Sequence, residues 1–125
     1  MNRHDSLFPV GIYNSLFNKL LGITLPCGKI YQSSGLHKHI SSRHPDCLKY
    51  LNSIPDIIDC PDYIGINPHE PKSIELVKKY DSNVLVGIKL DLNENYLYVA
   101  SLYEISDSKV KRRLHGGRLK PFKKC

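Results

Sequence analysis

Three of the six histidines fall within eight residues. His37, His39 and His44 lie in the segment Gly35-Leu-His-Lys-His-Ile-Ser-Ser-Arg-His-Pro45, together with Lys38 and Arg43. Imidazole has an ordinary pKa of about 6.5, so it exchanges protons near neutrality. Cleaving RNA without a metal needs a base for the 2′-hydroxyl, an acid for the 5′-oxygen leaving group, and a cation for the charge on the phosphorane. Two imidazoles beside a lysine or arginine supply all three. The bland alternative is a solvated His37 and a His44 that only caps the following helix. Zinc held by these histidines and a cysteine has little support, because H-x-x-x-H and H-E-x-x-H patterns are missing.

Further candidates stand downstream. Lys89 interrupts an apolar strand, and Ser101 and Tyr103 lie on the strand that follows. A hydroxyl pair there could bind a phosphate or orient a base; alternatively, Lys89 only solvates an outer face that Tyr98 shields. Parity is the obstacle, because Lys89 and Ser101 point to opposite faces of a flat sheet unless twist or a bulge intervenes. Arg118 follows Gly116-Gly117, where the backbone can approach a ligand closely and a guanidinium can grip phosphate in bidentate fashion. Arg43, Arg112 and Arg113 complete the expected substrate-binding set with Tyr103 and Arg118.

These residues need elements to hold them. Residues 12–21 read as a short helix ending at Gly22, and 23–32 as extended chain. Ser33 or Ser34 is expected to cap a helix to about Arg43, with Leu36 and Ile40 inward. Pro45 then opens a second helix carrying Cys47, Leu48, Leu51 and Ile54, which Pro55 breaks or kinks. Strands follow at Tyr63–Ile66 and Ser73–Tyr80. Val84, Val86, Ile88 and Leu90 alternate, as do Leu97, Val99, Ser101 and Tyr103, with a turn at Asn93-Glu94. Pairing Val86 with Ser101, Ile88 with Val99 and Lys89 with Tyr98 puts the apolar residues on one face. Ser106 reads as the N-cap of a last, basic helix that stops at Gly116-Gly117, stapled by Ile105 and Val110. The expected fold class is α+β: N-terminal helices packed on an antiparallel sheet of about four strands, with a short basic C-terminal helix.

At 125 residues and 41% apolar composition the chain holds one domain with one modest core. No apolar run approaches the roughly 20 residues of a membrane span. The N-terminal residues do not read as a secretory signal, so a cytoplasmic location is expected. There Cys27, Cys47, Cys60 and Cys125 are expected to be free thiols, with Cys47 and Cys27 toward the core and no C-x-x-C pair to suggest zinc or redox chemistry. Residues 1–104 hold 10 Lys or Arg against 11 Asp or Glu, whereas residues 105–125 hold 8 against 1. The net charge of +6 is thus concentrated at one end, as suits a polyanion such as RNA, although Lys123 and Lys124 read as a solvated tail.

Taken together, the motifs resemble a known family. His39-Ile-Ser-Ser-Arg-His-Pro45, then Ile54-Pro-Asp-Ile-Ile-Asp-Cys-Pro-Asp-Tyr-Ile-Gly65, then Ser73-Ile-Glu-Leu-Val-Lys-Lys-Tyr, Val84-Leu-Val-Gly-Ile-Lys-Leu and Ser101-Leu-Tyr-Glu-Ile-Ser are similar to the phage-associated branch of the barnase–EndoU–colicin–RelE-like nucleases (PBECR domains). The resemblance spans about residues 30–120. It implies a helical pair on a four-stranded antiparallel sheet and metal-independent ribonuclease activity, in toxins or mobile-element effectors acting on tRNA or other RNA, leaving 2′,3′-cyclic phosphate. It further implies His39 and His44 as acid and base, Lys89 as transition-state cation and Ser101 as hydroxyl contact, with no cofactor or metal. An inhibitor or immunity protein is a further expected partner. The competing readings are a non-catalytic nucleic-acid-binding module and a protein-interaction domain on a degenerate nuclease fold. Against the first stands the lack of a recognisable array of stacking aromatics, with no Trp and 3 Phe.

Overall fold

The computed structural model describes residues 6–70 and 72–122. Lys123, Lys124 and Cys125 lie outside the described residues. Seven strands form one sheet: β1 (Leu7–Ile12), β2 (Lys29–Ser33), β3 (Tyr63–Ile66), β4 (Ser73–Lys79), β5 (Asn83–Asp91), β6 (Tyr96–Ile105) and β7 (Leu119–Pro121), in the order β1-β2-β6-β5-β4-β3-β7. The expected four strands β3 to β6 form its centre. The sheet is nevertheless larger than expected, and it is mixed, because β2 joins β6 in parallel through Ile30–Leu97 and Tyr31–Tyr98. β1 and β7 were hidden from sequence reading because their partners lie far along the chain: β1 pairs with β2, and β7 with β3.

Helix α1 (Ser15–Leu21) starts where the Asn14 side chain accepts from Leu16 N and ends at Gly22, whose φ of 67° suits glycine. Helix α2 (Leu36–Arg43) starts later than expected. Ser33 does not cap it; its hydroxyl accepts from Gly35 N in the turn that ends β2. The expected second helix is a 3₁₀ segment, Pro45–Ser53, followed by α3 (Ile54–Asp59). Pro55 therefore opens a helix rather than breaking one, since a missing N–H costs nothing in a first turn. Helix α4 (Asp107–His115) is capped by the Ser106 hydroxyl, which accepts from Lys109 N.

Two apolar layers result. Phe17, Leu36, Ile40, Tyr50, Ile54, Ile57 and Ile58 pack onto Ile30, Ile64, Ile74, Leu76, Val84, Val86, Ile88, Leu97, Val99 and Leu102, so α1 to α3 cover one face. On the opposite face, Val110 of α4 packs with Val77, Leu85, Ile105 and Leu119. Leu36 and Ile40 are buried, and each contributes about 1.5–3 kcal/mol of hydrophobic burial that anchors α2 against the sheet. Cys47 is a buried free thiol, but Cys27 is exposed rather than core-facing. Cys60 is not free: it is disulfide-bonded. Linear spacing without a C-x-x-C pair could not reveal that bond, and a reducing compartment does not favour it. Among the described residues no helix is long and apolar enough to cross a membrane.

Candidate active site

The end of β2 opens the candidate site. Among the described residues β2 pairs with β6 at Leu97 and Tyr98; after Ser33 the chain turns into α2 and leaves β6 from Val99 onward. An open cleft of about 310 Å³ lies there, lined by Ser33, Gly35, Leu36, His39, Lys89, Tyr98, Val99 and Ala100. His39 thus reaches the cleft from the helical side and Lys89 from the sheet. The imidazole is on an exposed residue, and Lys89 Nζ pairs with Glu70 Oε1 at 3.2 Å.

Register explains how residues of opposite parity meet. From Asp91–Tyr96 to Ile88–Val99 the β5–β6 pairing follows the expected alignment, including Lys89 with Tyr98. It then shifts: Gly87 faces Ser101, and Val86 faces Leu102 rather than Ser101. Ala100 is the extra residue of this bulge. By inserting one position, it transfers Ser101 to the face that carries Lys89, Gly87 and Tyr98. Ser101 Oγ uses the space over Gly87, where an added Cβ would come within 2.5 Å of it.

Tyr103 follows Ser101 on the same face, about 7 Å further along the strand, opposite Leu85. His44 stacks on it, ring centroids 5.5 Å apart at 30°. His44 ends α2, its N–H bonded to Ile40 O, and Pro45 holds it out of helical geometry. The two histidines therefore meet one edge of the sheet at two points, His39 at the cleft and His44 at Tyr103. Arg43 is exposed in the last turn of α2.

Sequence reading missed Glu75. It stands on β4 opposite Gly87 and Gly65, on the face of Ser101, and is 1% exposed. Arg118 donates to it twice, Nε to Oε1 and Nη2 to Oε2, both at 2.9 Å. These bonds raise the already high guanidinium pKa. Arg113 Nη1 lies 3.8 Å from Oε2 and is buried without a hydrogen-bond acceptor. The expected Arg118 and Arg113 thus converge on one carboxylate, whereas Arg112 is exposed on α4 away from this pairing. Arg118 also borders a second hollow of about 440 Å³ with Gly116, Gly117 and Lys120. The available signal for Glu75 was an acidic residue inside Ser73-Ile-Glu-Leu-Val, a strand otherwise too apolar to be a solvated edge.

Among the described residues no group of three or more His, Cys, Asp or Glu is placed to hold a metal ion. What the arrangement offers is imidazole, ammonium, hydroxyl and two guanidinium groups along one bulged edge and the face behind it. Comparison with the curated proteins and with the solved structures finds no match. Residues 8–112 match the phage-Barnase-EndoU-ColicinE5/D-RelE like nuclease3 family, PBECR3. The match begins well before residue 30, taking in β1 and α1, and it stops before Arg113 and Arg118. Covering most of the chain, it identifies this protein as a member of the PBECR3 family of nuclease-like domains.

Proposed function

We propose that the chain is a metal-independent endoribonuclease whose reaction centre is the cleft between α2 and the bulged edge of β6. The observation that carries this reading is that His39 and Lys89 line one cleft, so a proton-transfer group and a cation can act on the same phosphodiester. In this reading His39 and His44 share the acid and base steps: one takes the 2′-hydroxyl proton, the 2′-oxygen attacks phosphorus, and the other returns a proton to the departing 5′-oxygen. The products are a 2′,3′-cyclic phosphate and a free 5′-hydroxyl. Lys89 stabilises the phosphorane. It is held beforehand by Glu70, in an exposed pair worth about 0–1 kcal/mol, so a phosphate displaces Glu70 cheaply. Ser101 donates its hydroxyl to a phosphate oxygen, and Tyr103 orients His44 by stacking.

Arg113 and Arg118 serve as phosphate-binding groups that Glu75 holds in place, and Arg43 and Arg112 extend the cationic surface for the RNA backbone. A toxin or mobile-element role, with tRNA as target and an inhibitor or immunity protein as partner, accords with a family named for phage and colicin nucleases. The test is to incubate purified protein with total RNA in excess EDTA and to sequence the new ends. Ends carrying 2′,3′-cyclic phosphate are expected. Cleavage that requires an added divalent ion, or an RNA population left intact, would reject the reading.

A further inference from the structure

On the sheet face that carries Lys89, three tyrosines form a patch that neither apolar cluster absorbs. Tyr31 of β2 is paired with Tyr98 of β6, and Tyr98 in turn with Lys89; Tyr96 lies one same-face position further along β6. The Tyr31 and Tyr96 rings meet edge to face, centroids 5.8 Å apart at 90°, and Tyr96 and Tyr98 are 6.0 Å apart at 54°. All three are half-buried. Among the described residues none of them belongs to the two apolar clusters. Helices α1 to α3 cover the other face, and among the described residues α4 packs on this one around Val77, Leu85, Ile105 and Leu119, with Tyr63 and Tyr103 beside them. Three tyrosines held in a fixed mutual geometry and left partly open therefore need another explanation than core packing.

The patch begins at the wall of the cleft, because Tyr98 lines it together with His39 and Lys89. It ends at an acidic turn: Asp91 faces Tyr96 across the β5–β6 pair and accepts from Asn93 N and Glu94 N. A phosphodiester would be attracted at the Lys89 end and repelled at the Asp91 end. Between them lie aromatic rings, which suit a flat, uncharged heteroaromatic ring attached to the held phosphate. That description fits a nucleobase. In a duplex the base faces are stacked on each other and unavailable; in a single strand they are free to stack on protein aromatics.

We propose that Tyr31, Tyr96 and Tyr98 form a stacking platform for an unpaired base next to the phosphodiester bound at His39 and Lys89, so that the chain selects single-stranded RNA. This names the substrate class of the proposed nuclease site and rests on that reading. The array of aromatics expected to be missing exists, assembled from two strands whose tyrosines are some 65 residues apart in sequence.

The test uses the full chain and a mixed-sequence decamer with 2′-O-methyl groups, which this chemistry cannot cleave, as a single strand and as the matching duplex. The single strand is expected to bind more tightly. Tyr31→Leu and Tyr96→Leu should each weaken single-strand binding by between about 5- and 150-fold and leave its salt dependence unchanged, because phosphate contacts set that slope. Tyr96→Phe should bind like the parent. A 2-aminopurine placed along the decamer provides a readout on the unaltered protein: its fluorescence should be quenched at one or two positions as it stacks. Equal affinity for single strand and duplex, leucine variants that bind like the parent, or no quenching at any position would each overturn the platform. Tight, tyrosine-dependent single-strand binding without cleavage of ordinary RNA would uphold the platform and reject the nuclease reading, so the two fail separately.

Discussion

Replacing Glu75 by glutamine tests whether the two arginines are held as described. The side chain keeps its volume but loses its charge, and one of its two acceptor oxygens becomes an NH₂ that faces an Arg118 N–H. Breaking a fully buried ion pair by removing one partner costs about 3–5 kcal/mol, and an exposed pair contributes about 0–1 kcal/mol. The Glu75 side chain is 2% exposed, but those of Arg118 and Arg113 are 26% and 17% exposed, so the guanidinium groups can recover some hydration. A loss of about 2–3 kcal/mol follows. For a domain of this size that lowers Tm by roughly 6–15 °C. Urea unfolding of Glu75→Gln, Arg118→Met and the double variant measures it directly. The double variant should cost at least about 1 kcal/mol less than the sum of the two, because each single substitution removes the same interaction. Additive losses, or a Glu75→Gln cost below about 0.5 kcal/mol, would refute the reasoning.

Three other expectations are sharp. Gly87→Ala pushes a Cβ toward Ser101 Oγ; the hydroxyl can rotate away, so RNA cleavage should fall by tenfold or more while stability changes by less than about 1.5 kcal/mol. Gly65→Ala puts a Cβ against the Arg118 backbone carbonyl, which cannot rotate away; β7 should be forced off β3, with a loss of more than about 3 kcal/mol in urea unfolding. Tyr80 donates to Asp56 Oδ2 at 2.6 Å, and burial, with that bond, pushes its phenol up to about 12. A phenol whose pKa is raised on folding contributes stability that is fully present below pH 10 and is lost as pH rises from 10 through 12. Unfolding measured across that range should therefore show a fall that Tyr80→Phe makes shallower, the remainder coming from phenols such as Tyr13 that burial also raises.

Local signals in the sequence carried much of this structure. The Ser106 cap, the stop after His115, the Asn93-Glu94 turn and the alternation of β5 each depend on neighbours within a few residues, and each is where local chemistry placed it. The fold's edges were not legible in this way. β1 and β7 are short, and what makes them strands is a partner 17 or more residues distant rather than their own pattern. The candidate site was half legible. His39 and Lys89 stood out by type, but the Ala100 bulge, which lets Ser101 join Lys89, has no compositional mark, since alanine fits either register. Glu75 was passed over because a lone carboxylate in a strand is usually a solvated one, and its arginines lie some 40 residues downstream. Cys60 shows a similar limit: nothing in its neighbouring residues marks it as disulfide-bonded.

The central claim, that His39 and Lys89 serve one phosphodiester, is tested most directly by single-turnover cleavage of a single-stranded RNA with His39→Ala, Lys89→Met and the double variant. If the two groups act on one transition state, each single change should lower the rate by about 10²-fold or more, and the double variant should be little slower than the worse single one. Rates that stay at the parental level in the double variant would contradict the account.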